Sequence, residues 1–180
     1  MNTSEQYNEI TNQCLKVFTN KLEDYGATWR GFRPSSLTDQ IYIKLIRIRN
    51  IQESGENNVG DSIIDELFGI INYSLIATIQ LELKHSDCVD IDNHDAINFY
   101  NNKIKLSKSL MEFKNSDYGE IWRNMKVASI IDIMLVKILR IKTIEDNKGE
   151  TKVSEGIESN LLDMINYSIF SLILLNDSEV

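Results

Sequence analysis

The residues of this sequence best suited to chemistry are carboxylates that recur at helical spacing along one apolar segment. The carboxylates Asp61 and Asp65 lie on one helical stripe, which continues through Gly69 and Asn72. A second apolar segment has at the matching positions Glu155, Ser159, Asp163 and Asn166. Carboxylates on a helix this apolar are costly unless they pair with cations or hold a metal, and an all-oxygen set favours Mg²⁺ or Mn²⁺ over zinc.

Paired cations occur on the segment that precedes each stripe. Lys44 and Arg47 are three residues apart, and Lys137 and Arg140 repeat them. Cations beside a metal suit a triphosphate, because the metal bridges phosphate oxygens while a guanidinium binds the remainder. Asp39 lies eight residues before Arg47, about a quarter turn away around the same helix, from where it could reach that metal. The predicted metal ligands are therefore Asp39, Asp61, Asp65, Asp132, Glu155 and Asp163.

A structural interpretation of the same charges remains open. Asp61 would then be a helix N-cap, and Asp65 and Asp163 would pair with the lysines and arginines of the preceding helices. Under this alternative the acids and bases form an ion-pair network without a metal.

Two aromatic heptapeptides, DYGATWR at 24–30 and DYGEIWR at 117–123, offer a second kind of chemistry. Their tyrosine and tryptophan rings could stack on a base while the arginine contacts a phosphate, or the rings could close the end of a helical core. With the paired cations and the stripe asparagines, they define the predicted substrate contacts: Tyr25, Trp29, Arg30, Lys44, Arg47, Asn72, Tyr118, Trp122, Arg123, Lys137, Arg140 and Asn166. No catalytic residue is predicted.

The heptapeptides belong to a longer internal repeat. A shift of 93 matches ten positions between 24 and 48 without a gap, and a shift of 94 then aligns INYS at 71–74 with INYS at 165–168. The sequence therefore predicts a tandem duplication, with a first copy at 1–84, a linker at 85–95 and a second copy at 96–180.

Each copy has the pattern of three helices, because breakers are rare and apolar residues recur at helical spacing. The predicted helices are Glu5–Glu23, Ser36–Glu53 and Asp61–Lys84 in the first copy, and Asp95–Ser116, Ser129–Asp146 and Ser154–Leu175 in the second. Gly26 and Gly119 are predicted to end the first helices, and Ser36 to cap a second helix. The third helix, apolar on most faces, should be the most buried of each copy. We predict an all-α fold in which two three-helix units pack about a pseudo-two-fold axis.

Composition limits the partners. The chain has 180 residues and a formal net charge of -8, so it lacks the basic stripe of a protein that binds DNA or RNA duplexes. The longest apolar stretches are too short to span a bilayer comfortably, no secretory signal is visible, and two cysteines without close spacing fit a reduced compartment. We expect a cytoplasmic protein that binds no membrane, with a further homodimer possible.

The combination of DYGATWR, the helix DQIYIKLIRIRNIQE and DELFGIINYS resembles the nucleotide modification associated domain 1 family. The resemblance covers nearly the whole chain except the linker, and it implies a helical domain that occurs in tandem copies. The family in turn is similar to the all-α MazG-like and dimeric dUTPase nucleotide pyrophosphohydrolases. In those enzymes acidic residues on two helices bind Mg²⁺, and water attacks a nucleoside triphosphate to release pyrophosphate.

This second similarity implies metal ligands at Asp61 and Asp65 in the first copy, and at Glu155 or Glu158 with Asp163 in the second. The paired acids of the preceding helix in those enzymes are absent here, where only Asp39 and Asp132 stand. The prediction is Mg²⁺-dependent hydrolysis of a (deoxy)nucleoside triphosphate or modified nucleotide to monophosphate and pyrophosphate. The alternatives are a non-catalytic nucleotide-binding module and a purely structural helical module.

Overall fold

The computed structural model describes residues 2–57, 60, 62–152 and 155–178. Within these ranges there is no strand, and six α-helices form: α1 Thr3–Tyr25, α2 Pro34–Ser54, α3 Ile63–Leu83, α4 Asn93–Tyr118, α5 Val127–Asp146 and α6 Ile157–Ser178. Short 3-10 turns at Thr28–Gly31 and Ile121–Asn124 join the first helix of each copy to the second. The predicted all-α fold is confirmed, and each helix end lies within three residues of its predicted position.

Side-chain caps determine where two of the first-copy helices begin. Asn2 accepts a hydrogen bond from the Glu5 N–H at 2.9 Å, and the Glu5 carboxylate accepts from the Asn2 N–H in return. Ser62 and Asp65 form the same reciprocal box at the start of α3. By contrast, α2 begins at Pro34 without a side-chain cap, so the predicted cap Ser36 lies inside the helix.

The first helix of each copy ends at a glycine, as predicted. Gly26 and Gly119 have φ angles of 67° and 65°, a region that favours glycine over residues with a Cβ. Their N–H groups donate to Leu22 and Asn115 carbonyls at 2.9 Å, which satisfies one terminal carbonyl of each helix. The chain then turns sharply into the 3-10 segment that contains the tryptophan.

The helices pack in three layers, with the third helices in the middle. On one side α2 and α5 pack on each other and on α3 and α6, and on the other side α1 and α4 pack on each other and across the same pair. Side chains of the middle layer such as Ile71, Leu75, Ile165 and Ile169 are fully buried. The third helices are therefore the most buried elements, because each is covered on two sides.

By length and composition α3 would also qualify as a membrane span. However, 61% of its most hydrophobic window is buried inside the bundle. This is the burial expected of a core helix.

Matched hydrogen bonds show how the two copies interlock. The Tyr100 hydroxyl on α4 donates to Asn72 Oδ1 on α3 at 2.6 Å, and the Tyr7 hydroxyl on α1 donates to Asn166 Oδ1 on α6 at 3.0 Å. Tyr7 and Tyr100 are equivalent in the repeat, as are Asn72 and Asn166. Each first helix therefore bonds to the third helix of the other copy, and the predicted pseudo-two-fold bundle is confirmed.

Candidate functional site

The two heptapeptides bury their tryptophans at corresponding ends of the bundle. Trp29 is 7% exposed and lies 6.2 Å from Phe18 between ring centroids. Trp122 stacks on Phe170 with ring centroids 4.2 Å apart. These contacts close the ends of the core, which is the structural alternative considered for both rings. The tyrosines differ, since Tyr25 and Tyr118 are 52% and 74% exposed.

The heptapeptide arginines anchor other parts of the chain. Arg30 is 1% exposed, binds the Asp90 carboxylate through Nε at 2.7 Å, and also donates to Gln80. The Arg30 guanidinium lowers the pKa of Asp90 to about 2, chiefly through its hydrogen bonds to that carboxylate. Arg123 binds Glu120 at 2.6 Å and Asp177 at 3.3 Å. Both arginines were predicted to contact phosphate, but the structure commits them to these intramolecular bonds.

A cavity of about 890 Å³ opens between α1, the Trp29 turn, α2 and α3 of the first copy. Its volume is in the range of small-molecule sites, which is roughly 300–1,000 Å³. Its aromatic wall consists of Phe18, Tyr25, Trp29, Phe32, Phe68 and Tyr73. Its polar groups include Lys21, Lys44, Asp65, Glu66 and Asn72. The cavity therefore combines flat apolar surfaces with a few charged and amide groups.

A buried carboxylate orders the charged side of this cavity. Glu66 is 4% exposed, and its carboxylate binds Lys44 Nζ at 2.9 Å and the Arg47 guanidinium. Lys44 Nζ also lies 5.9 Å from the Tyr73 ring centroid. Two cations on one carboxylate leave the trio with a net positive charge.

Gly69 makes room for this arrangement. A Cβ at Gly69 would lie 2.7 Å from Lys44 Cε, so the lysine side chain occupies the space directly above the glycine. Any larger residue at Gly69 must displace the flexible end of Lys44.

The second copy arranges the corresponding residues differently. Asp163, equivalent to Gly69, is 6% exposed and binds Lys114 Nζ at 2.6 Å and Lys137 Nζ at 2.7 Å. Burial alone would lower the pKa of Lys114, but its hydrogen bond to Asp163 raises it. Lys137 lies 6.0 Å from the Tyr167 ring centroid, as Lys44 does from Tyr73. In the second copy, a carboxylate bound by two lysines thus lies at the position that corresponds to the cavity of the first copy.

The six predicted metal ligands do not come together among the residues that the structure describes. Asp39 is exposed and binds Lys142 on α5, Asp65 caps α3, and Asp163 is held by two lysines. Asp132 and Glu155 are exposed, and Asp61 lies outside the described residues. Within the described ranges, the three-residue group of possible metal ligands is the exposed set Asp92, His94 and Asp95 in the predicted linker, where α4 begins. The carboxylates found beside Lys44 and Lys137 therefore support the ion-pair alternative rather than a shared metal.

The remaining predicted contacts divide between the copies. Tyr25, Trp29, Lys44 and Asn72 line the first-copy cavity, and Arg47 adjoins it through Glu66. Arg140 lies instead on a wider depression of about 1240 Å³ beside the α5–α6 loop, together with Glu155. No aromatic residue is among those that line this depression in the described part of the chain. The first copy therefore holds the better candidate site.

Three important cavity residues were missed from the sequence. Lys21 is related to Lys114 by the same shift of 93 that reveals the repeat, and Tyr73 is part of the repeated INYS. These two could have been found by extending the repeat alignment. Glu66 has Asn160 as its repeat partner, so only its contact with Lys44 and Arg47 reveals its role.

The fold and the cavity define a helical protein with a duplicated three-helix unit and a ligand-sized cavity in its first copy. The chain belongs to the family described as nucleotide modification associated domain 1, whose model matches residues 21–81 and 114–175. No curated protein and no solved structure matches the chain. One matched segment lies within each copy of the repeat. The more distant similarity to MazG-like enzymes stays a prediction.

Proposed function

We propose that this protein binds a nucleotide in the first-copy cavity and acts in the metabolism of nucleotides or modified bases. The observation that carries the proposal is the cavity itself, where an aromatic wall and a lysine–glutamate–arginine trio lie within one volume of about 890 Å³. The family description, nucleotide modification associated domain 1, agrees with this ligand class.

The aromatic wall would bind the base. Tyr25 is half exposed at the mouth, so its ring is accessible for stacking, whereas Trp29 forms the buried floor. Among the described residues, neither the Trp29 indole N–H nor that of the equivalent Trp122 has a hydrogen-bond partner. Because the two copies share this feature, we attribute it to the fold and do not assign the donor to the ligand.

Hydrolysis with Mg²⁺ or Mn²⁺ stays a prediction. Of the described acids, Asp65 and Glu66 line the cavity, and Glu66 is already bound by Lys44 and Arg47. A divalent cation would have to compete with these two cations for the same oxygens. The described carboxylates therefore do not fit a preformed metal site, and the proposal is restricted to binding.

A thermal-shift screen against the common (deoxy)nucleoside mono- and triphosphates, with and without Mg²⁺ or Mn²⁺, tests the proposal. Stabilisation by one nucleotide class is the expected result, and calorimetry then gives its affinity. Pyrophosphate release is measured in the same samples, so that turnover distinguishes a hydrolase from a binding module.

The repeat supplies a matched pair of variants for this experiment. Tyr25→Ala removes a ring at the cavity and should weaken binding by about tenfold, the size expected for one stacked base. Tyr118→Ala removes the equivalent exposed ring of the second copy and should leave the affinity unchanged. Equal effects of the two variants, or no nucleotide that stabilises the wild type, would contradict the proposal.

A further inference from the structure

The equivalence of Gly69 and Asp163 indicates where the first-copy cavity accepts negative charge. In the second copy the Asp163 carboxylate lies between Lys114 and Lys137, with Nζ to oxygen distances of 2.6 and 2.7 Å. The repeat relates these lysines to Lys21 and Lys44, both of which line the first-copy cavity. The first copy thus retains two lysines but has no side-chain carboxylate at the equivalent of Asp163.

The two first-copy lysines are in different states. Lys44 is turned over Gly69 and bound by Glu66. Lys21 is exposed and forms no ion pair with any acid in the described part of the chain. Lysine side chains are long and flexible, so both ammonium groups can turn toward an anion at the position of the Asp163 carboxylate.

We infer that Lys21 and Lys44 bind the anionic group of the ligand, and that Asp163 occupies the corresponding place in the second copy as an internal substitute for that group. The anion would be a phosphate of the nucleotide, so this inference rests on the proposed function and deepens it. Lysine binds phosphate as a point charge and needs no fixed approach geometry. It follows that, of the two copies, the first binds the nucleotide, and that the residue at position 69 or at the equivalent position 163 decides whether the copy can bind it.

Transferring the carboxylate to the first copy tests the inference. Gly69→Asp reproduces the second-copy arrangement, and the displaced atoms are the flexible end of Lys44, so the fold should be retained. Gly69→Asn adds nearly the same volume without the charge and serves as the control. Circular dichroism and the melting temperature of each variant confirm that it is folded.

Calorimetry compares a nucleoside, its 5′-monophosphate and inorganic pyrophosphate. In the wild type we expect a stoichiometry of one, with the monophosphate bound more tightly than the nucleoside. Gly69→Asp should weaken binding of the monophosphate about tenfold more than Gly69→Asn does, which is the size of one lost hydrogen bond to a charged group. Lys21→Met should lower the affinity for the monophosphate and for pyrophosphate but not for the nucleoside. Lys16→Met, on the same helix, should leave all three affinities unchanged.

The outcomes separate this inference from the proposed function. If nucleotides bind but Lys21→Met and Gly69→Asp leave the ratio of monophosphate to nucleoside affinity unchanged, the inference is wrong and the proposed function stands. If the wild type binds pyrophosphate but no nucleotide, and Gly69→Asp abolishes pyrophosphate binding, the anion site is supported and the proposed function is wrong. If the wild type binds neither pyrophosphate nor any nucleotide, both are wrong.

Discussion

The two copies of the repeat share their helices, the asparagines Asn72 and Asn166, and a lysine beside a tyrosine, but they place a buried carboxylate one helical turn apart. The first copy has Glu66 and Gly69 on α3, and the second has Asn160 and Asp163 at the equivalent positions of α6. In each copy the single acid binds two cations. Each copy therefore keeps one acid bound to two cations, but the acid lies at a different position on the third helix.

This displacement changes the space around the lysines. In the first copy the glycine leaves the area beside the aromatic wall open, whereas in the second copy Asp163 and two lysines fill it. A duplicated unit can thus differ at one position, because one copy places an ion-paired carboxylate there while the other keeps a cavity. If the cavity binds a nucleotide as proposed, the second copy has an internal ion pair at the position where the first copy leaves room for a ligand.

Neutralising the two carboxylates should give the largest effects on stability. Asp163→Asn leaves Lys114 and Lys137 without their acid, and we expect a loss of about 2 kcal/mol, below the range for fully buried pairs because Lys114 is 44% exposed. Glu66→Gln should have a similar effect in the first copy. The two losses should add in the double variant, because the cations that bind Glu66 differ from those that bind Asp163. Urea denaturation gives these values.

The control for this comparison is Glu155→Gln, since Glu155 is an exposed acid on the same copy as Asp163. Its effect should stay within about 0.5 kcal/mol. A loss for Asp163→Asn no greater than that of the control would mean that the buried pair does not stabilise the second copy.

The interlocking tyrosines should have an intermediate effect. Tyr7→Phe and Tyr100→Phe each remove a hydroxyl that donates to a stripe asparagine, and each should destabilise the protein by about 1 kcal/mol. Only Asn72 lines the cavity, so Tyr100→Phe should also weaken nucleotide binding while Tyr7→Phe leaves it unchanged. Denaturation curves together with calorimetry on both variants test this. If Tyr7→Phe and Tyr100→Phe changed nucleotide affinity equally, the proposal that only the first copy binds the nucleotide would be wrong.

The smallest expected effect concerns Glu145, whose equivalent in the first copy is Gln52. Burial raises the pKa of Glu145, although Thr38 donates a hydrogen bond to it at 2.8 Å. A carboxyl whose pKa is raised on folding lowers stability above its unfolded pKa, and this penalty disappears as the pH falls through the folded and then the unfolded pKa. Glu145→Gln should therefore be slightly more stable than the wild type at pH 7, by less than about 1 kcal/mol.

The difference between the two proteins should shrink as the pH falls toward 4, because the wild-type carboxyl then takes up its proton in the folded and the unfolded state. Melting temperatures of both proteins between pH 4 and 8 test this. A variant that is less stable than the wild type at pH 7 would mean that the charged form of Glu145 is favoured by the fold.

Most of the fold could be predicted from the sequence, because its determinants are local or repeated. The apolar spacing predicts the helices, Gly26 and Gly119 predict two helix ends, and the repeat predicts the symmetry. The candidate site was harder to predict from the sequence. The helical stripe correctly places Asp65, Gly69 and Asn72 on one face of α3, but it does not specify which side chains from other helices meet that face.

Glu66 and Asp39 illustrate this limit. Glu66 is one residue away from the predicted stripe, and it became the central acid only because Lys44 and Arg47 on α2 approach it. Asp39 was predicted beside Arg47, but the packing of α2 on α5 brings Lys142 to it instead. In both cases the outcome depends on contacts between helices that have no sequence signal of their own.

The bond between Gln6 and Asp177, at 3.1 Å, brings the outer ends of the first and last helices side by side. Arg123 strengthens this junction by binding both Gln6 and Asp177, much as Arg30 fastens the linker through Asp90. We therefore expect the order of the two halves along the chain to matter little for the bundle. We expect a circular permutant, opened in the linker and joined by a short loop from α6 to α1, to fold into the same three layers.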